Sequence, residues 1–136
     1  MHLIEPLGFQ LSDKQLARSG MDYWDELQPS RYINFEDFLA KHPTGRLWMC
    51  TTKAHRLYTE ANFQPDDYLV FGKESAGIPE EYLVKYEKTC IRIPMKKDAR
   101  SLNLANAVAI VLYEALRQQD FIHLEKSGNL HRLRWE

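Results

Sequence analysis

Long apolar runs are missing from this chain. The longest, Ala107-Val108-Ala109-Ile110-Val111-Leu112, is far too short to cross a bilayer as a helix. An excess of one charge is missing too. Lys and Arg number 18 against 19 Asp and Glu, a formal net charge of -1. The strongly basic balance of many nucleic-acid binders is therefore absent, and any basic patch has to be local. Cysteine is scarce, with two in 136 residues and no Cys-x-x-Cys spacing, which disfavours zinc ligation. Cys50 and Cys90 each sit inside a β-like segment and read as buried free thiols in a reducing compartment. Glycine and proline number six each, too few for a collagen-like chain. The opening Met1-His2-Leu3-Ile4-Glu5-Pro6 has no basic stretch leading into an apolar one, so no signal peptide is read there and a cytoplasmic location is expected.

What remains is ordinary for a folded domain: 44% hydrophobic and 27% charged residues. A length of 136 residues suits one compact domain over 1–136. Short apolar runs alternate with helical patterns, the signature of an α/β fold. Strands are expected at 2–4, 47–51, 68–71 and 89–93. Ser12-Asp13-Lys14-Gln15 reads as a capping box opening a short helix that ends near Gly20. Asn34 caps a second helix over 35–41, and Pro79 opens a third that runs to about Tyr86. The last helix is capped by Ser101 or Asn103 and runs to about Gln118, with Leu104, Ala107, Val108, Val111, Leu112 and Ala115 at helical spacing. Ala109 and Ile110 make its middle apolar on nearly every side, so burial against a sheet or a partner subunit is expected. Beyond Phe121, the tail with His123, Lys126, His131, Arg132 and Arg134 is either a basic contact arm or a solvated end.

Three loops stand at the C-terminal ends of expected strands, where open α/β sheets bind ligands. The first, Phe71-Gly72-Lys73-Glu74-Ser75-Ala76-Gly77-Ile78-Pro79, holds two glycines that allow close backbone approach or positive φ. It is neither a dinucleotide fingerprint nor a P-loop, and a simple turn is the commoner role of such a pair. The second runs from Arg92 to Arg100 and carries Lys96 and Lys97 against a single acid, Asp98. It suits a phosphate backbone or is simply a solvated loop. The third, Ser101-Leu102-Asn103-Leu104-Ala105-Asn106-Ala107, clusters small polar groups at a helix start. Capping explains one of them, and an Asn as poor in helix propensity as Asn106 is expected to hydrogen-bond something specific. No Ser-His-Asp or Cys-His arrangement can be assembled, and no His pair or carboxylate cluster argues for a metal.

Together these loops resemble the signature of the SPOUT class of S-adenosylmethionine-dependent RNA methyltransferases, SpoU branch. The resemblance rests on Phe71-Gly72-x-Glu74-x-x-Gly77-Ile78-Pro79, Ile91-x-Ile93-Pro94-Met95 and Ser101-Leu102-Asn103-Leu104-Ala105-Asn106-Ala107-Val108, in that order and spacing. Leu3-Ile4-Glu5-Pro6-Leu7-Gly8-Phe9 and Arg18-Ser19-Gly20-Met21-Asp22-Tyr23 narrow it to the small single-domain TrmL (YibK) subgroup. Its members are similar to tRNA (cytidine/uridine-2'-O)-methyltransferases acting on the wobble nucleotide of leucine tRNAs.

The resemblance implies a parallel sheet flanked by helices, with a deep C-terminal trefoil knot over about 68–118, a rare exception to un-knotted topology. It implies a cofactor pocket formed by Cys50, Gly72, Glu74, Gly77, Ile78, Ile93, Met95, Ser101, Leu102 and Asn106, with adenine recognised largely by backbone groups. A side chain added at Gly72 or Gly77 is expected to meet that ligand. Ser101 and Asn103 would shape the methyl-transfer site, and Tyr113 would help hold the tRNA beside Glu114. Lys96, Lys97 and Arg100 are the phosphate candidates. A homodimer through the last helix and no metal are implied as well. Family members open with a strand and helix carrying Asn-x-Gly-Asn-x-x-Arg, a motif this sequence does not contain. The chain is expected to lack about 30 residues of a βαβ unit, which bears on catalysis more than on fold. A ribosomal-RNA methyltransferase of the same branch and a non-catalytic cofactor- or RNA-binding fragment are the alternatives.

Overall fold

The computed structural model describes residues 1–7 and 28–136. The expected capping box at Ser12 and the segment from Arg18 to Tyr23 lie outside the described residues. The described chain falls into two compact units, Met1–Gly45 with Lys73–Ala76, and Arg46–Gly72 with Gly77–Glu136.

In the first unit, β1 (His2–Ile4) pairs in parallel with β2 (Ser30–Tyr32), His2 opposite Ser30 and Ile4 opposite Tyr32. A helix, α1 (Phe35–Lys41), follows. Asn34 caps it as expected: its Oδ1 accepts from the Asp37 N–H at 2.8 Å, and Asp37 Oδ2 accepts from the Ile33 N–H at 3.2 Å. Phe35 and Phe38 bury the inner face of α1. Tyr32 joins the elements, its hydroxyl lying 2.8 Å from both His2 Nδ1 and His42 Nε2. Burial first, then the positive N-terminus and His42, holds the His2 imidazole below its ordinary pKa. Glu74, a cofactor candidate, lies exposed in the Lys73–Ala76 segment of this unit.

The second unit is built on a four-stranded sheet in which every pairing is parallel. Its strands are β3 (Leu47–Cys50), β4 (Arg56–Leu57), β5 (Tyr68–Phe71) and β6 (Cys90–Arg92), in the order β4-β6-β3-β5. An interior parallel strand is covered on both faces, so its sequence does not alternate. Leu47, Trp48 and Met49 of β3 are accordingly all buried. At the end of the sheet, β5 is only half-buried along its whole length. Two helices complete the unit, α2 (Glu80–Lys85) and α3 (Leu104–Gln118).

Trp48, Ala61, Phe63, Ile91, Val111 and Ala115 form the core, with Cys50, Leu69, Phe71 and Ile93 packed against it. Polar ties fix the edges. Gln118 of α3 accepts from the Phe63 N–H at 2.9 Å and donates to the Ala61 carbonyl at 2.8 Å, joining the helix end to the loop before β5. At the N-terminal ends of β3 and β5, Asp67 accepts from Arg46 Nη2 and Trp48 Nε1, both at 2.7 Å, and from the Gln64 N–H at 2.8 Å. The Arg46 guanidinium also lies over the Trp48 ring, 4.8 Å from its centroid.

Of the two covers expected for the last helix, a sheet or a partner subunit, the single chain shows the first for one stripe. Within the chain, α3 buries only the stripe of Val111 and Ala115, while Ile110, Leu112 and Tyr113 are exposed. Its apolar residues exceed what one sheet face can cover. The two thiols are free as expected, Cys90 buried and Cys50 half-buried.

Candidate functional site

A parallel sheet places all its strand C-termini along one edge, and here the ends of β5 and β6 carry the first two loops, the second running on into segment 101–107. Cys50 closes β3 and stands opposite Phe71 of β5 on one side and Ile91 of β6 on the other. The segments beginning at Gly72 and Ile93 therefore leave the sheet on either side of the β3 end, about 5 Å per strand apart. Thr51 continues past β3, its N–H donating to the Ile91 carbonyl at 2.9 Å. The sequence-predicted positions Cys50, Gly72, Gly77, Ile78 and Ile93 are thus assembled on a single sheet edge.

Cys50 contributes a neutral group. Burial, and then the neighbouring Cys90, pushes its thiol up to about 12, so it stays protonated at neutral pH and is not a nucleophile. The glycines do two different things. A Cβ on Gly72 would collide with Gly77 C and Ile78 N. Gly72 is therefore required by the loop itself, whose neck closes by backbone-to-backbone approach. Gly77 has φ of +72°, a left-handed conformation that favours glycine, and a Cβ there would meet nothing within 4 Å. Open space lies beside Gly77 while Ile78 turns inward and is 7% exposed.

On the other side of the β3 end, Ile93 packs on the core and Met95 is half-buried, while Lys96, Lys97 and Arg100 are exposed. Asp98 sits among them, also exposed. The loop then reaches Ser101 and Leu102, both exposed, and Asn103, the cap of α3. Asn103 Oδ1 accepts from the Asn106 N–H at 3.3 Å. Capping is thus shared between the two asparagines: Asn103 supplies the side chain and Asn106 the backbone. The Asn106 side chain is exposed instead of held in a specific internal bond. The cap bond leaves the Asn103 NH2 group free to donate, and as an amide Asn103 is not a base.

Tyr113, two turns and a half along α3, is 59% exposed. Glu114 beside it is engaged within the helix. The Glu114 carboxylate is tied by two 2.8 Å bonds from Arg117 and one of 2.9 Å from Gln118, and the Arg117 guanidinium holds it below the usual carboxylate range. One contact escaped the sequence reading. Lys53, in the loop after β3, donates to Glu80 Oε1 at 2.6 Å and so links that loop to the start of α2 beside Gly77 and Ile78. Nothing in the spacing of two residues so far apart announces it. Among the described residues, no group of His, Cys, Asp and Glu could hold a metal ion, and no helix is long and apolar enough to cross a membrane.

The cap gives a test. Asn103→Ala removes it and should cost about 1 kcal/mol of stability, whereas Asn103→Asp keeps a capping oxygen and loses the donor. Melting followed by circular dichroism should separate the two variants, and both should lose ligand-directed function.

The described geometry is an all-parallel sheet with glycine-necked and basic loops at one edge, followed by an asparagine-capped helix. Residues 1–113 match the SpoU rRNA Methylase family, and the chain belongs to that family. Among curated relatives, the tRNA (cytidine(34)-2'-O)-methyltransferase of Aeromonas hydrophila is 44% identical over 120 residues, covering 87% of this chain and 76% of its own length. The enzyme of the same name from Saccharophagus degradans is 42% identical over 123 residues, covering 89% of this chain and 79% of its own. A solved structure concerned with 2-OH methylation of C/U34 on tRNA superposes with a TM-score of 0.80 at 41% identity, over 88% of this chain and 78% of that one. The SpoU methyltransferase AviRb of Streptomyces viridochromogenes, solved in complex with AdoMet, gives a TM-score of 0.68 at 26% identity, over 88% of this chain and 50% of its own.

Proposed function

We propose that this chain is an S-adenosylmethionine-dependent tRNA methyltransferase that modifies the ribose 2'-hydroxyl of a wobble cytidine or uridine, with leucine tRNAs as substrates. The observation that carries it is the departure of the Gly72 and Ile93 loops from the sheet on either side of the end of β3, in a chain more than 40% identical to relatives named tRNA (cytidine(34)-2'-O)-methyltransferase. The residues fit the cofactor: open space lies beside Gly77, and the Cys50 thiol brings no charge to the end of β3. Cys50, Gly72, Glu74, Gly77, Ile78, Ile93, Met95, Ser101, Leu102 and Asn106 are the proposed cofactor residues. Bound there, S-adenosylmethionine supplies an electrophilic methyl carbon.

The protein's task is then positioning. A ribose hydroxyl is a weak nucleophile, and it has to be held in line with the methyl group, about 3 Å away. In this reading Ser101 and the Asn103 NH2 group orient the ribose, Tyr113 holds the RNA, and Lys96, Lys97 and Arg100 take its phosphates. No metal takes part in this reading. A homodimer through α3 is part of it, supported by exposed Ile110, Leu112 and Tyr113. So are a single domain over 1–136, a trefoil knot over about 68–118 and a cytoplasmic location.

The experiment is transfer of labelled methyl from S-adenosylmethionine to unmodified leucine tRNA, with the product mapped by nuclease digestion. Label confined to nucleotide 34 is the expected result. Label on ribosomal RNA alone, or cofactor binding without any transfer, would overturn the reading.

A further inference from the structure

The chain ends in a segment that the site does not use. After α3 the backbone turns sharply through Asp120, Phe121 and His123, all at positive φ. Lys126 is then anchored to Asp120 at 2.9 Å. From Lys126 to Trp135 there are four cationic or titratable basic residues, Lys126, His131, Arg132 and Arg134, and no acid. The whole chain carries -1, so this stretch inverts the average. Arg132 and Arg134 make no ion pair among the described residues.

The segment also has a shape. Trp135 Nε1 donates to the Gly128 carbonyl at 3.4 Å, closing residues 128–135 into a hook. The indole N–H is spent inside the hook, yet the residue is 70% exposed, with Leu133 at 76%. Arginines for phosphates and an open aromatic ring for a base are the two elements of single-strand recognition.

We infer that residues 126–135 form a second RNA-contact arm, in which Arg132 and Arg134 take phosphates and the Trp135 ring stacks an unpaired base. The inference rests on the proposed tRNA substrate and extends it. The arm leaves the C-terminal end of α3, a helix of 15 residues and so about 22 Å long, while Asn103 caps the other end. It therefore contacts nucleotides other than the one whose ribose is modified.

Two variants of the full chain test it: Arg132→Glu with Arg134→Glu, and Trp135→Ala. Affinity for unmodified leucine tRNA is read by filter binding across a salt series, cofactor affinity by calorimetry and mass in solution by light scattering. The charge reversal should weaken tRNA binding at least tenfold and lower the salt slope by about 1 to 2, as loss of two phosphate contacts requires. Trp135→Ala should weaken binding about tenfold with little change of slope. Cofactor affinity and mass should stay as in the wild type. Unchanged tRNA affinity in both variants would overturn the arm. So would a fall in solution mass, which would assign the hook to a second copy of the chain. Binding and methyl transfer are scored separately. A wild-type chain that binds tRNA through the hook but transfers no methyl keeps the arm and removes the proposed function. One that methylates nucleotide 34 equally well with both variants, at unchanged affinity, does the reverse.

Discussion

Gly72→Val should abolish cofactor binding and lower the melting temperature by about 10 °C. The loop neck has no room for a Cβ, because Gly77 C and Ile78 N occupy its place. Backbone cannot rotate aside as a side chain can, so the neck must open. Overpacking of this kind costs about 3 kcal/mol, and a domain of this size loses a few degrees per kcal/mol. Opening the neck also displaces Ile78, one of the core residues of the unit. Gly77→Ala is the control. It meets no atom within 4 Å and pays only for its left-handed backbone, about 1 to 2 kcal/mol. Calorimetric titration with S-adenosylmethionine, alongside melting, reads both. A Gly72→Ala protein that melts like the wild type but no longer binds the cofactor would return that glycine to direct ligand contact.

Asp67→Ala should destabilise the second unit by about 2 kcal/mol, chiefly through the buried Trp48 N–H it leaves unpaired. The Asp67 side chain is 7% exposed and serves three donors, Arg46, the Trp48 indole and the Gln64 backbone. Removing it leaves a charge and two N–H groups without their acceptor, the costly side of hydrogen bonding. Asp37→Ala, which frees only the exposed Lys41 ion pair and a cap bond, should cost well under half as much. Burial alone would raise the Asp67 pKa, but the Arg46 guanidinium and the Gln64 and Trp48 N–H groups outweigh it and hold the carboxyl below its ordinary value. The sign follows from linkage. The unfolded chain takes up this proton first as pH falls, so the contribution is full at neutral pH and is lost in acid. Denaturant titrations should show the wild type losing stability below about pH 4, with a shallower loss in the Asp67→Ala protein.

The parts of the fold legible in the sequence were those with their own chemistry. Asn34 followed by Glu36 and Asp37 announces a capped helix, and Asn103 before a long apolar period announces another. The unbroken Leu47-Trp48-Met49 run announces a strand covered on both faces. The β2 and β4 strands were not legible. Ser30-Arg31-Tyr32 and Arg56-Leu57 are too short for any period, and they become strands only because β1 and β6 offer a parallel edge to them. The candidate site shows the same division. Its loops were visible as residue types, but the distinction between a glycine that seals a neck and one that opens space needs the backbone of Gly77 and Ile78. The outward face of α3 was legible as surface that wants cover, but apolar composition does not tell what covers it.

The strand order has a consequence for how the chain assembles. Consecutive in sequence, β3 and β4 are not neighbours, because β6 lies between them. During synthesis β3 can pair with β5 once Phe71 has emerged, but β4 has no partner until Cys90–Arg92 arrives and slots between two earlier strands. The site edge, which depends on Cys50 standing between Phe71 and Ile91, cannot exist before that insertion. Non-local pairing of this kind folds slowly. Point changes in β6, such as Ile91→Ala, should therefore delay the appearance of the site more than equal-sized changes in β5.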